Sequence, residues 1–110
     1  MVKFNEDGLD GVFSALGDPT RRALMAQLAL GEVRVSELAA PHEMSLPAVT
    51  KHLGVLEKAG LIRRTKNGRE VTCALTPAPL ESASAWLENY KAFWEGRLDA
   101  LADYLDNIKP

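Results

Sequence analysis

Residues 45–62 read SLPAVTKHLGVLEKAGLI. Ser45 is a helix cap, Pro47 falls in the first turn, where a missing N–H costs nothing, and Gly60 supplies the stop. Between them Val49, Leu53 and Leu56 recur at i, i+4 and i+7, lining one face of a helix from Ser45 to Ala59. The other side carries Thr50, Lys51, Gly54 and Lys58. A strand-like run follows Gly60 directly. The chain as a whole carries a formal net charge of -2, so a short basic helix in its middle asks for a reason.

The charge is unevenly spread. Residues 1–44 hold four Lys/Arg against seven Asp/Glu, a net of -3, and residues 70–110 come to -4. Residues 45–69 hold Lys51, Lys58, Arg63, Arg64, Lys66 and Arg69 against Glu57 alone, a net of +5. A local excess of this kind attracts a polyanion even when the whole molecule is acidic. A solvated face with scattered lysines is the plainer reading, and charge alone does not choose between them. Architecture has to decide.

At 110 residues with 46% apolar and 25% charged residues, the composition is that of one small globular domain over residues 1–110. No run approaches the ~18 apolar residues of a membrane span. The start, MVKFNEDGLDG, lacks the charged-then-apolar layout of a signal peptide. A single cysteine, Cys73, cannot form an internal disulfide. A cytoplasmic chain is the expectation.

Upstream of the basic helix, Leu9, Val12, Phe13 and Leu16 stand at helical spacing. A second helix opens with Asp18 as cap and Pro19 at its first position, buries Leu24, Met25 and Leu28, and exits at Gly31. Residues 33–35 read as a very short strand. Ser36 then caps a helix that Pro41 ends within about two turns. Downstream, LIRRTKNGREVTCALT reads as a hairpin turning on Asn67-Gly68. From Pro79 to about Asn107 one long helix carries Leu87, Tyr90, Trp94, Leu98, Leu101, Leu105 and Ile108, spaced three or four apart, widened by Trp86, Phe93 and Tyr104. The expected fold is mainly α with a small β-hairpin, in the order α-α-β-α-α-β-β-α.

Two short helices joined by a tight turn, the second basic outside, describe a helix-turn-helix, and a basic hairpin after it is a wing. An α-helix fits the major groove of B-DNA, where base edges display a readable pattern of donors and acceptors. The first turns of the quoted helix would aim Ser45, Leu46, Pro47, Thr50 and Lys51 at the duplex. Thr50 suits a base edge or a phosphate, and Leu46 and Pro47 suit thymine methyl groups. Lys51 and His52 suit phosphates. Lys66 and Arg69 on the wing reach a neighbouring phosphate or the minor groove, contacts that position without reading sequence. Arg21 and Arg22 oppose the dipole of their own helix start. They are expected to form a salt bridge to an acidic residue elsewhere, with a phosphate contact as the alternative.

The long final helix has more apolar surface than a small domain can cover, and a partner is the expected remedy. The alternative is that it folds back over its own core. A two-fold dimer would set two recognition helices about 34 Å apart, one turn of DNA. The interface expected from the sequence draws on Leu9, Phe13, Trp86, Leu87, Tyr90, Phe93, Trp94, Leu98, Leu101 and Leu105.

The stretches ALGDPTRRALMAQLALGEVRVSELA, SLPAVTKHLGVLEKAGLI and NGREVTCALTP together resemble successive signatures of the ArsR-type (arsenic-repressor-like) winged-helix regulators, from about Leu9 to Pro77. The resemblance implies a homodimeric bacterial repressor, with the quoted helix as the recognition helix and the first and last helices paired at the dimer interface. One metal-sensing motif of that family places thiols on the helix before recognition, where this chain has Ala39 and Pro41. Another uses His and carboxylate pairs on the last helix, where this chain has Glu88, Glu95, Asp99, Asp103 and Asp106 without histidine or cysteine. Zinc and thiophilic metals require nitrogen or sulfur ligands. Cys73, His42 and His52 are scattered, Cys73 reading as a small packed strand residue and His42 as a surface turn residue. The resemblance is therefore to the metal-independent branch, with no cofactor and an unidentified effector. Gly54 departs from the basic residue common in the family. It either permits a close approach of the DNA backbone or reduces affinity.

Other classes fare worse. Gly8, Gly11 and Gly17 form no phosphate loop, and no nucleophile, base and metal stand in a usable constellation, so an enzyme is not expected. The rival is a winged-helix protein–protein interaction module without sequence-specific DNA binding. The six cations concentrated on helix and hairpin count against it.

Overall fold

The computed structural model describes residues 6–108. Five helices and three strands follow in the order α1 (Glu6–Ala15), α2 (Pro19–Leu28), β1 (Val33–Arg34), α3 (Val35–Ala39), α4 (Leu46–Lys58), β2 (Ile62–Asn67), β3 (Glu70–Leu75) and α5 (Pro77–Asn107). The strands form one antiparallel sheet ordered β1-β3-β2. Val33 pairs with Cys73, and the hairpin runs from Ile62 opposite Leu75 to Asn67 opposite Glu70.

The helix ends follow local chemistry. Asp18 accepts the Arg21 amide at 3.0 Å and starts α2, and Ser45 Oγ accepts the Ala48 amide at 3.2 Å and starts α4. Both caps satisfy an amide that has no partner within its helix. At the far end of α4, Gly60 adopts φ 79°. Its amide reaches the Glu57 carbonyl at 2.9 Å and the Leu61 amide reaches the Leu56 carbonyl at 3.0 Å. That pair of bonds is a Schellman motif, which needs a residue at positive φ. It turns the chain straight from α4 into the hairpin.

The core lies between α2, α3, α4 and the base of the sheet. Leu24, Leu38, Val49, Leu53, Leu56, Leu61 and Cys73 are all fully buried. Each buried leucine contributes roughly 2 kcal/mol by removal of apolar surface from water. Among the described residues α1 adds buried Val12 and Ala15 and α5 adds buried Ala83, with Leu9 and Leu80 packed partly buried against them. Burial pushes the Cys73 thiol above its ordinary range, so it behaves as a small apolar residue.

Three details differ from the sequence reading. The two-residue hairpin loop is Gly68-Arg69, one position later than Asn67-Gly68, and Gly68 takes φ 65° at the first loop position. The Thr76 amide, bonded to the Leu61 carbonyl at 2.9 Å, anchors the hairpin at its base, and the register counted from there closes on Gly68-Arg69. Ser36 does not cap α3. Helical geometry already holds at Val35, and Arg34 is the cap residue, with no side-chain capping bond. Finally α5 begins at Pro77, two residues before Pro79.

The outline is elongated, 72 × 32 × 21 Å, with a radius of gyration of 19.4 Å. A compact chain of this length has about 13 Å. The excess comes from α5, whose 31 residues extend about 46 Å at 1.5 Å per residue.

Candidate nucleic-acid interface

The inner stripe of α4 fixes what its outer face can present. With Val49, Leu53 and Leu56 buried, Ser45, Leu46, Pro47, Thr50, Lys51 and Lys58 are exposed. Leu46 is half-exposed at the very start of the helix. Ser45 Oγ is already engaged as an acceptor in its cap but keeps its proton for donation. Across a shallow cleft, Arg69 and Glu70 of the hairpin and Arg34 and Ser36 near the start of α3 face Leu46 and Thr50. Helix start, wing and α3 therefore share one surface. Lys66 is exposed on the wing near the hairpin loop.

Two arginines on this side are committed to the protein itself. Arg64 is held by Glu57 of α4, with Nη2 donating to the carboxylate at 2.8 Å, Nε at 3.2 Å and the Arg64 amide at 3.1 Å. The Arg64 guanidinium holds the Glu57 carboxyl below its ordinary range. This three-point tie fixes the base of the hairpin to α4 and leaves the segment's net charge of +5 on Lys51, Lys58, Arg63, Lys66 and Arg69. Arg34 is paired with Glu37 and, at 3.0 Å, with Glu70. Gly54 has no internal packing role: an added Cβ would meet only Arg64 Nη2, at 3.8 Å.

His52 does not share the outward face. Its ring turns toward the start of α2, with Nδ1 3.4 Å from Arg21 Nη1 and 3.8 Å from Asp18 Oδ2. Its position offered a signal for this, since Val49, His52, Leu53 and Leu56 stand at i, i+3, i+4 and i+7. His42 is half-buried rather than a surface residue, with Nε2 2.7 Å from Gln27 Oε1, and Gln27 Nε2 donates in turn to the Leu38 carbonyl at 3.2 Å. This ties the turn of the motif to α2. Arg21 and Arg22 also differ from the expected salt bridge. Arg22 donates to the Leu16 carbonyl at 2.7 Å, and Arg21 to those of Ala15 and Ser14. Carbonyls at the last turn of an α-helix lack the amide four residues on; Gly17 N–H already reaches that of Ser14 at 3.1 Å, and the two guanidinium groups add donors to Ser14, Ala15 and Leu16.

The residues expected at a dimer interface lie along one side of the molecule. Phe13 meets Trp86 edge-on at 5.7 Å, Trp86 stacks on Tyr90 at 5.0 Å, and Trp94 packs edge-on against Tyr90 and Phe93. Leu9 joins Trp86, Tyr90 and Phe93 along an open groove between α1 and α5. Leu87, Leu98, Leu101 and Leu105 are about half exposed. No residue of α5 beyond Ala83 is buried.

Among the described residues no three His, Cys, Asp or Glu side chains gather where they could hold a metal ion, and no helix is long and apolar enough to cross a membrane.

This arrangement recurs in known proteins. A helix-turn-helix domain family matches residues 16–65. The transcriptional repressor SdpR of Bacillus subtilis is 28% identical over 82 residues, 74% of this chain and 91% of that protein. The crystal structure of an ArsR family transcriptional regulator is 45% identical with a TM-score of 0.78, covering 86% of this chain and 97% of that one. The fold is also that of a homodimeric winged helix-turn-helix DNA-binding domain from Mycobacterium bovis, at 21% identity and a TM-score of 0.61, covering 86% and 84% of the two chains. A winged helix-turn-helix that is 45% identical over 86% of its length to a solved family member leaves one assignment: the chain belongs to the ArsR family of transcriptional regulators.

Proposed function

We propose that this protein is a homodimeric, cytoplasmic repressor that reads a DNA operator near its own gene and leaves it on an unidentified signal. The carrying observation is that Leu46, Thr50, Lys51, Lys66 and Arg69 stay exposed on one helix and the hairpin joined to it, while Arg64 is tied internally. The first turns of α4 enter the major groove, Thr50 reading a base edge, with Leu46 and Pro47 against thymine methyls and Ser45 and Lys51 on the backbone. Lys66 and Arg69 hold the flanking phosphate or minor groove. His52 supports α4 from behind rather than touching DNA.

Residues 1–110 act as one winged-helix unit with α5 as dimerisation helix. The exposed aromatic and leucine surface of α5, continuous with Leu9 and Phe13 of α1, supports this pairing, and the Mycobacterium bovis domain of the same fold is itself homodimeric. Repression then needs only occupancy: a dimer on the promoter blocks polymerase. No catalytic role and no metal enter this reading.

Fluorescence anisotropy with DNA from upstream of the gene, beside a scrambled duplex at low and physiological salt, tests it. Tight binding to the upstream duplex that persists at physiological salt is the expected result. Equal and salt-fragile binding to both duplexes, or none, would turn attention to a protein–protein interaction role, because non-specific binding is carried by counterion release alone.

A further inference from the structure

Arg21 sits where three helices meet, and its guanidinium faces two of them at once. Nε donates to the Ala15 carbonyl at 2.5 Å and Nη2 to the Ser14 carbonyl at 3.3 Å, both at the end of α1. Nη1 lies 3.4 Å from His52 Nδ1 on α4. The Arg21 amide is held by the Asp18 cap at 3.0 Å, and the same carboxylate oxygen lies 3.8 Å from the His52 ring. A guanidinium has no acceptor. The contact with His52 is therefore a hydrogen bond only when Nδ1 bears its lone pair, which is the neutral ring with its proton on Nε2.

We propose that Arg21 is a positioning residue that couples the first helix to the recognition helix through His52. α1 presents Phe13 to Trp86 on one side and the carbonyls of Ser14 and Ala15 to Arg21 on the other. His52 immediately follows Lys51 and is two residues from Thr50, so the rotation of α4 that His52 sets is also the rotation that aims those side chains. A displacement of α1 against α5 carries Arg21 with it and turns the reading face. Lysine cannot replace this arrangement, because one ammonium does not span three acceptors lying in two directions. The inference rests on the proposed DNA-reading role of α4 and adds to it a route by which the α1–α5 side controls that role.

The test uses the full chain with Arg21→Lys, His52→Leu, His52→Asn and the double variant Arg21→Lys/His52→Leu. Asparagine keeps an acceptor close to the position of Nδ1, and leucine does not. Binding to the upstream and scrambled duplexes is measured beside the shift of the His52 ring nitrogens by NMR. Arg21→Lys and His52→Leu are expected each to weaken upstream binding ~10-fold with little change on the scrambled duplex, and the double variant to be no worse than either single one. His52→Asn is expected within ~3-fold of wild type. In the NMR arm, Arg21→Lys moves the Nδ1 resonance away from its hydrogen-bonded value. Additive losses, equal losses on both duplexes, or His52→Asn as poor as His52→Leu would overturn the coupling. Should the wild type not distinguish the duplexes, the DNA-reading role fails by itself. An Nδ1 resonance indifferent to Arg21→Lys would then overturn the contact without reference to DNA.

Discussion

The interior around α4 and the long helix α5 are built from similar residues and reach opposite ends. Leu53 and Leu56 in α4 are fully buried, whereas Leu98 and Leu101 in α5, in an equally regular stripe, are 59% and 53% exposed. Helical periodicity shows that a face will be covered and is silent on what covers it. In α4 the cover is the chain's own α2, α3 and sheet. In α5 most of the face has no cover from the same chain, and the surface it leaves open is what the proposed second copy would close.

The sharpest way to break this contrast is inside the core. Leu53→Ala should lower unfolding free energy by about 2–5 kcal/mol through lost transfer energy and a residual cavity, measured by urea denaturation at fixed protein concentration. Leu98→Glu should do the reverse. At a high dilution that leaves a single chain it should change stability by under ~0.5 kcal/mol, yet weaken self-association by ~100-fold in sedimentation experiments. A stability loss comparable to that of Leu53→Ala would mean that Leu98 belongs to the interior after all.

The wing and the outer face of α4 sharpen the contrast from the other side. Lys51→Ala should weaken binding to the upstream duplex by ~10-fold and flatten its dependence on salt by about one phosphate contact, with the thermal midpoint unmoved. Gly54→Ala should stabilise the fold by up to ~1 kcal/mol, since the added methyl meets only an arginine tip. A loss of DNA affinity in the same variant would assign the glycine to a close approach of the DNA backbone.

The smallest effect belongs to the tie between helix and wing. Glu57 is held below its ordinary 4.5 by Arg64, so its contribution is present above that value and lost as pH falls through the lower folded value. Glu57→Gln should therefore destabilise by less than about 1 kcal/mol near neutrality. The gap from wild type should close as the pH is lowered below 4.5, read from denaturation midpoints.

Much of this architecture was legible in residues 45–62. Cap, proline, apolar stripe and glycine stop are all local signals, and each has its structural counterpart in α4 and its Schellman end. The stripe on α5 was legible for the same reason. The hairpin loop was missed by one position because Asn67-Gly68 satisfies a turn locally, while the register is set at the far end, at Leu61 and Thr76. The partners of Arg21 and Arg22 at the end of α1 come within reach only when the chain turns between α1 and α2, and the contact of Arg21 with His52 spans the motif. Arg21 and His52 are 31 positions apart, and nothing local states that the start of α2 lies against the middle of α4. Arg64 was counted with the free charges for the same reason, its seven-residue link to Glu57 closing only when the chain turns at Gly60.

The strand order β1-β3-β2 has a consequence for solubility. It places β2 at an open edge of the sheet, where unpaired amides and carbonyls invite a strand from another molecule. On this edge strand the residues from Arg63 to Asn67 are all charged or polar, and Arg63 and Lys66 are exposed. Two copies laid edge to edge would bring like charges together along β2, which opposes continuation of the sheet from chain to chain. Removing those two charges would therefore weaken the barrier to fibrous association.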